Sequence, residues 1–290
     1  MSNDHFVSDF YLRQFSPYGQ PGLIYVYRKD CAPELEPIKK TACANDYYAK
    51  SVDRKLSRSE ISSAEILKRL ITDSPSLLSQ EDQQRLAYFI GLLANRTPRS
   101  QQHLHSGHGT VAASLEEYCS DREFFLHSEK QKGYTGTDEE LEPRRLAYIE
   151  AAKESHLQFQ PTKSNDELMK IAFELAQDTA RILEVRQWHI LESTTSRVFV
   201  TCDNPVVIIQ TNHQSRQLQR WLRNGSVLLP LSPVRTLLID EVRGNSVFGV
   251  SRQDVDRINN YVIANAYMEV YSNLHSKDIA NTVNRIKLTN

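Results

Sequence analysis

The spacing of apolar residues divides the chain into three stretches. Between residues 51 and 185 apolar side chains recur every three or four positions, as in the stripe of Leu168, Ile171 and Leu175, which predicts helices that bury one face. From Trp188 onward the apolar runs are short and separated by turns, which is typical of antiparallel strands. Near the N-terminus, Ser8 is placed to cap a short helix.

These patterns predict an α+β fold, with a helical middle region and a mostly antiparallel C-terminal sheet joined by an N-terminal strand/helix segment. We expect a single unit over residues 1–290. Within it, residues 1–50 form an N-terminal segment that docks on the sheet, residues 51–185 are the helical region, and residues 186–290 contain the sheet.

A turn with an acid and an amide lies in the C-terminal region. Residues 198–200 and 206–209 read as two strands, because β-branched and aromatic residues suit a half-buried pleated surface. Asp203 and Asn204 lie between them, and Pro205 disfavours a helix at Asn204. The turn either presents a carboxylate for binding or catalysis, or uses Asp203 only to cap its own backbone.

Composition narrows the class of protein without naming a reaction. The chain has 290 residues, 40% hydrophobic and 24% charged, with a formal net charge of -1, so any nucleic-acid binding needs a local basic patch. There is no apolar run long enough for a bilayer and no signal-peptide pattern. The cysteines form no CxxC pair, and Cys202 is expected to be a buried structural thiol. We therefore expect a cytoplasmic protein that does not engage a membrane.

Short blocks along nearly the whole chain resemble one known family. They are His5-Phe6-Val7, Tyr11-Leu12-Arg13 with Phe15, Ile24-Tyr25-Val26-Tyr27, Arg96-Thr97-Pro98, Trp188, Phe199-Val200-Thr201-Cys202-Asp203-Asn204-Pro205-Val206 and Leu229-Pro230-Leu231-Ser232-Pro233. In this order they are similar to a family of uncharacterised, mainly bacterial proteins, domain of unknown function 4238. Ser8 stands where the family is expected to have proline, and Cys202 where it usually has serine. The resemblance implies one family-length unit and no settled activity.

The main candidate site gathers polar residues from these distant blocks. In this hypothesis His5, Asp203 and Asn204 are catalytic, with His5 as general acid or base and Asp203 as base or metal ligand. Arg13 and Arg96 would bind a substrate phosphate or carboxylate. The alternative is a buried ion-pair network that joins the N-terminal segment to the sheet.

Three weaker signals lie elsewhere. Arg99 and His105 have the spacing of the RNase signature found in helical toxins, although exposed polar residues at a helix start explain them more simply. His103, His105 and His108 lie within six positions and could bind a metal ion from an extended loop. No carboxylate follows at the spacing of zincin metalloproteases, so polar residues at the surface explain them more simply. A basic stretch with one aromatic could contact phosphates and stack a base, or be a solvated loop. That stretch contains Arg216, Arg220, Trp221 and Arg223.

Two functions follow as hypotheses. The first is a phosphodiester hydrolase, nuclease-like, that acts on nucleic acid or nucleotides as a toxin or defence effector. The second is a non-catalytic recognition module for a phosphate-bearing or protein partner. The chain lacks GxGxxG, GxxxxGK[ST], GxSxG and HExxH motifs. The sequence leaves the cofactor unknown, is compatible with a divalent metal, and does not specify the oligomeric state.

Overall fold

The chain forms two compact units. One contains Met1–Pro98 together with Met169–Asn290, and the other contains Arg99–Leu168. A computed structural model describes residues 3–45, 47, 50–105, 119, 122–131, 134–158, 165–209, 225–241 and 244–286.

Helices dominate the middle of the chain, as the apolar spacing predicted. In the described residues they are α1 (Asp9–Leu12), α2 (Lys50–Thr72), α3 (Gln80–Asn95), α4 (Pro98–His105), α5 (Arg122–Gln131), α6 (Asp138–Gln158), α7 (Asn165–Glu184), α8 (Arg252–Asn265) and α9 (Lys277–Arg285).

Strands occupy the two ends of the chain. They are β1 (Asn3–His5), β2 (Leu23–Arg28), β3 (Glu34–Pro37), β4 (Cys43–Asn45), β5 (Gln187–Ser193), β6 (Thr201–Cys202), β7 (Val207–Ile208), β8 (Val227–Pro230), β9 (Arg235–Asp240), β10 (Val247–Val250) and β11 (Glu269–Ser272).

The strands form three sheets that confirm the α+β prediction. A five-stranded sheet has the order β10-β5-β9-β8-β7 and is antiparallel except for its β10–β5 pair. A four-stranded antiparallel sheet has the order β3-β2-β11-β6, so N-terminal strands pair with C-terminal ones. A small ribbon pairs β1 with β4. The N-terminal segment therefore docks on C-terminal strands.

The five-stranded sheet is covered on both faces. Along β9, Leu237 and Ile239 belong to the apolar cluster that includes residues of α2 and α3, whereas Leu238 belongs to the cluster that includes residues of α8. A strand buried on both sides needs apolar residues at consecutive positions, which explains this uninterrupted run.

One strand prediction was wrong. Residues 198–200 lie outside the ladder, because Phe199 donates its N–H to Pro233 O at 2.8 Å and Val200 donates to Asn259 Oδ1 at 3.0 Å. The strand begins only at Thr201. Asn259 also donates to Val198 O at 2.9 Å, so an α8 side chain takes the place of a neighbouring strand.

The second unit is helical in its described part. Cys119, Phe125, Leu126 and Leu141 form a small apolar cluster between α5 and α6. Across all the residues that the structure describes, in both units, no helix is both long and apolar enough to cross a bilayer.

A glycine sets the closest approach of two helices. A Cβ added at Gly91 in α3 would lie 2.6 Å from Ala176 O in α7, a distance that real Cβ atoms do not reach. The two backbones therefore pack at a separation that only glycine allows.

We predict that Gly91→Ala destabilises the protein, although alanine favours a helix over glycine by about 1 kcal/mol. The clash with Ala176 is expected to outweigh that gain, leaving a net loss of about 1–2 kcal/mol in the free energy of unfolding. Urea denaturation measures it. Gln84→Ala on the exposed face of α3 is the control and should change stability by less than about 0.5 kcal/mol. A stabilised Gly91→Ala variant would contradict the close packing.

Candidate functional site

Buried polar groups connect three distant segments of the first unit. Arg96 and Thr97 follow α3, Asp203 and Asn204 follow β6, and Phe6 belongs to the N-terminal block. Thr97 Oγ1 donates to Asn204 Oδ1 at 2.9 Å, which links the first pair of residues to the second. We call Arg96, Thr97, Asp203 and Asn204, together with the groups to which their side chains bond, the polar frame.

Arg96 fixes the N-terminal block to α3 and α2. Its side chain is 1% exposed. Nε donates to Phe6 O at 2.9 Å, and Nη2 donates to Ser8 Oγ at 2.5 Å and to Glu60 Oε1 at 2.8 Å. Ser8 Oγ in turn donates to Glu60 Oε1 at 2.7 Å. A buried guanidinium needs such partners, because an unpaired buried charge is strongly destabilising.

Ser8 corrects a prediction about α1. It does occupy the N-cap position, but its side chain makes no capping hydrogen bond. The hydroxyl bonds to Arg96 and Glu60 instead.

Asp203 holds the segment after α8. Its residue is 3% exposed. Oδ1 accepts from Tyr267 N at 2.8 Å, and Oδ2 accepts from Met268 N at 2.7 Å and Glu269 N at 3.0 Å. Both carboxylate oxygens are therefore committed to backbone amides. Burial raises the pKa of Asp203 to about 6, the three amides lower it by a smaller amount, and the Glu269 carboxylate adds to the rise.

Asn204 continues the frame into α8. Its Nδ2 donates to Asn265 O at 3.2 Å, and Asn265 Nδ2 donates back to Asn204 O at 2.6 Å. Asn265 also donates to Val206 O at 3.0 Å. These reciprocal bonds join the end of α8 to the turn after β6.

The other two residues of the main candidate site have different surroundings. His5 is half-buried, with Nε2 3.1 Å from Ile38 O. Arg13 has a side chain that is 42% exposed; it pairs with Asp9 and lies beside Gly22. The structure thus brings Arg96, Asp203 and Asn204 into one network, whereas the described contacts of Arg13 lie within the N-terminal segment.

The structure describes the weaker candidates only in part. Arg99 lies in α4, in the second unit. The side chains of His103 and His105 lie outside the described residues, as do all of His108 and the 216–223 stretch. Among the described residues, no group of three or more His, Cys, Asp or Glu side chains is arranged to hold a metal ion.

Partly exposed aromatic residues lie beside the frame. Phe6 and Tyr47 have ring centroids 6.1 Å apart, and burial with the nearby Tyr267 phenol raises the pKa of Tyr47 to about 12. Met268 follows Tyr267 and is 56% exposed. We call Phe6, Tyr47 and Tyr267, together with Met268 as the exposed residue next to Tyr267 in sequence, the aromatic surface.

The frame positions this surface through backbone bonds. Arg96 bonds the carbonyl of Phe6, while Asp203 bonds the amides of Tyr267 and Met268. Sequence reasoning missed Glu60 and the aromatic surface. Glu60 is one of many polar residues on α2, and nothing in its spacing marks it. The tyrosine and methionine that follow α8 directly, Tyr267 and Met268, were the one available signal.

Comparison with known proteins identifies a family and nothing closer. The family described as "Protein of unknown function (DUF4238)" matches residues 3–276, nearly the whole chain, so the chain belongs to it. No curated protein and no solved structure matches.

The two arginines of the candidate site should differ in their effect on stability. Arg96→Met should lower the free energy of unfolding by about 3–5 kcal/mol, because it leaves Glu60 and Ser8 without their buried cation. Arg13→Met removes an exposed pair and should cost less than about 1 kcal/mol. Denaturant titration of both variants tests this. Equal effects would contradict the assignment of Arg96 to the frame.

Asp203 should make stability depend on pH. Its folded pKa of about 6 lies above the usual value of 3.8, so the folded state binds the proton more tightly than the unfolded state. This tighter proton binding adds about 3 kcal/mol to the free energy of unfolding below about pH 4, and that stabilisation is lost as the pH rises through 6.

The reference for this measurement is Asp203→Asn, which cannot titrate. The free energy of unfolding of the wild type minus that of the variant should fall between pH 4 and 7. The introduced carboxamide also turns an NH₂ group toward backbone donors, so the variant should be less stable than the wild type at pH 4. A difference that rises with pH would show that the three amides outweigh burial.

Proposed function

We propose that this chain, as a member of the DUF4238 family, is a non-catalytic recognition module that binds a protein partner through the aromatic surface. One observation carries the proposal. The charged groups of the polar frame are committed to internal hydrogen bonds, while Phe6, Tyr47, Tyr267 and Met268 remain partly exposed beside them.

Residue type favours a protein partner. Tyrosine, phenylalanine and methionine are enriched at protein interfaces, where they bury large apolar areas. Fixing the backbones of Phe6 and Tyr267 in advance lowers the entropy lost on binding. A phosphate-bearing partner is less well supported, because the Arg96 guanidinium is buried and paired with Glu60.

The phosphodiester-hydrolase hypothesis stays a prediction. A general base must reach the proton that it removes. Asp203 offers no oxygen that is not already accepting from an amide, so its described bonds support a structural role more than proton transfer. His5 is the remaining candidate base, and binding of nucleic acid or nucleotide stays a prediction with it.

Site-specific photocrosslinking tests the recognition proposal in cells that express the protein. A photoreactive residue at position 268 should give a discrete crosslinked species, since Met268 is exposed within the aromatic surface. Tyr267→Ala should remove that species. Tyr18→Ala is the matched control, because Tyr18 is fully exposed and lies outside the aromatic surface.

Two results would overturn the proposal. One is a crosslinking pattern at 268 that Tyr267→Ala leaves unchanged. The other is turnover of RNA, DNA or nucleotides by the purified protein, with or without divalent metal, that His5→Ala or Asp203→Ala abolishes while the fold is retained.

A further inference from the structure

We infer that a second copy of this chain pairs with β10, antiparallel and edge to edge, so that two five-stranded sheets join across a two-fold axis. β10 is the end strand of its sheet, and within the part of the chain that the structure describes it pairs only with β5. The edge strand of a sheet presents backbone donors and acceptors on its outer side, which another strand is able to bond.

The hydrogen bonds to β5 show which residues of β10 face outward. Backbone N–H groups at and just after β5 donate to Ser246 O at 2.8 Å and to Val250 O at 3.2 Å, so these two carbonyls face inward. Successive residues of a strand turn their N–H and C=O groups to opposite edges, so Val247 and Gly249 present theirs outward. Both residues are exposed, Val247 at 41%. The open edge therefore offers two donors and two acceptors.

Charge distinguishes β10 from the edge strand β3 of the four-stranded sheet. Proteins protect exposed edges with charged residues and proline, and β3 contains Glu34, Glu36 and Pro37. Antiparallel pairing of two β3 strands about Leu35 would oppose Glu34 to Glu36, and like charges that lie directly opposite are destabilising. Residues 244–251, which include β10, contain neither a charged residue nor a proline.

The β10 edge is complementary to itself. Antiparallel pairing centred on Phe248 bonds Val247 of each copy to Gly249 of the other, which uses every outward backbone group of both strands. Arg252, the first charged residue after the strand, then lies opposite Gly244, so no like charges meet. A closed two-fold dimer is also the commonest form of homo-oligomer. These features select a second copy as the occupant of the edge.

Phe248 lies at the centre of this pairing. The two Phe248 residues form a directly opposed pair without mutual backbone bonds, the position where side chains of neighbouring strands approach most closely. Phe248 is half-buried, and its ring centroid lies 5.3 Å from that of His189 in β5. Aromatic residues that face each other across two strands stabilise their pairing.

Sedimentation equilibrium of the full chain is the first test and should give twice the mass of one chain. Val247→Lys brings two ammonium groups to about 7–8 Å across the axis and should raise the dissociation constant of the dimer about tenfold. Mixing Val247→Lys with Val247→Glu should restore the dimer. Ile208→Lys is the matched control, because Ile208 is 60% exposed on β7 at the opposite edge of the same sheet.

Disulfide formation tests the register. Cys31 and Cys43 are first replaced by serine, while Cys119 and Cys202 are buried, as expected for Cys202. In that background Phe248→Cys should crosslink on mild oxidation, because opposed residues of this type have Cα atoms about 4.5 Å apart, within the range of a disulfide.

The control for the register is Val247→Cys, which is more exposed than position 248. Its two copies lie about 7–8 Å apart on the diagonal, so it should crosslink at least about tenfold less than Phe248→Cys.

Two outcomes would overturn the inference. A chain that stays monomeric up to its solubility limit would leave the edge to a strand of another protein. A dimer that Val247→Lys leaves intact, or that crosslinks at position 247 as readily as at position 248, would use a different surface or register.

Discussion

The first unit depends on satisfying two charges that it buries, the Arg96 guanidinium and the Asp203 carboxylate. Removing a charge from water is costly unless hydrogen bonds replace the lost hydration. Arg96 obtains them from Phe6, Ser8 and Glu60, and Asp203 from three consecutive amides. Because these partners lie far away in sequence, each charge is satisfied only when distant segments meet.

This constraint links fold and function. The same bonds that satisfy Arg96 and Asp203 fix the backbones of Phe6 and of Tyr267 with Met268, whose side chains are partly exposed. The polar residues that look catalytic in sequence thereby become the support of a surface made of aromatic side chains and methionine. The proposed recognition role follows from this division between buried polar support and exposed apolar contact.

The sequence predicts elements better than partners. The short apolar runs at residues 236–242 and 247–250 predict strands, and β9 and β10 lie within two positions of them. Residues 251–266 predict a helix, and α8 begins at Arg252 after a capping box formed by Ser251 and Asp254. Residues 198–200 were misread because Asn259, sixty positions later, supplies the bonds that a strand would have supplied. The sequence likewise identifies residue 203 as an acid. It does not identify the partners of that acid, because the groups that donate to the Asp203 carboxylate are backbone amides of residues 267–269.

Native-state hydrogen exchange of the amides of Tyr267, Met268 and Glu269 tests the central claim most directly. If the bonds to Asp203 hold this segment to the rest of the unit, these amides exchange only by global unfolding, at the same free energy as amides of the central strand β9. Met268 should be protected although its side chain is exposed. Exchange of the three amides through local opening, well below the global free energy, would contradict the account.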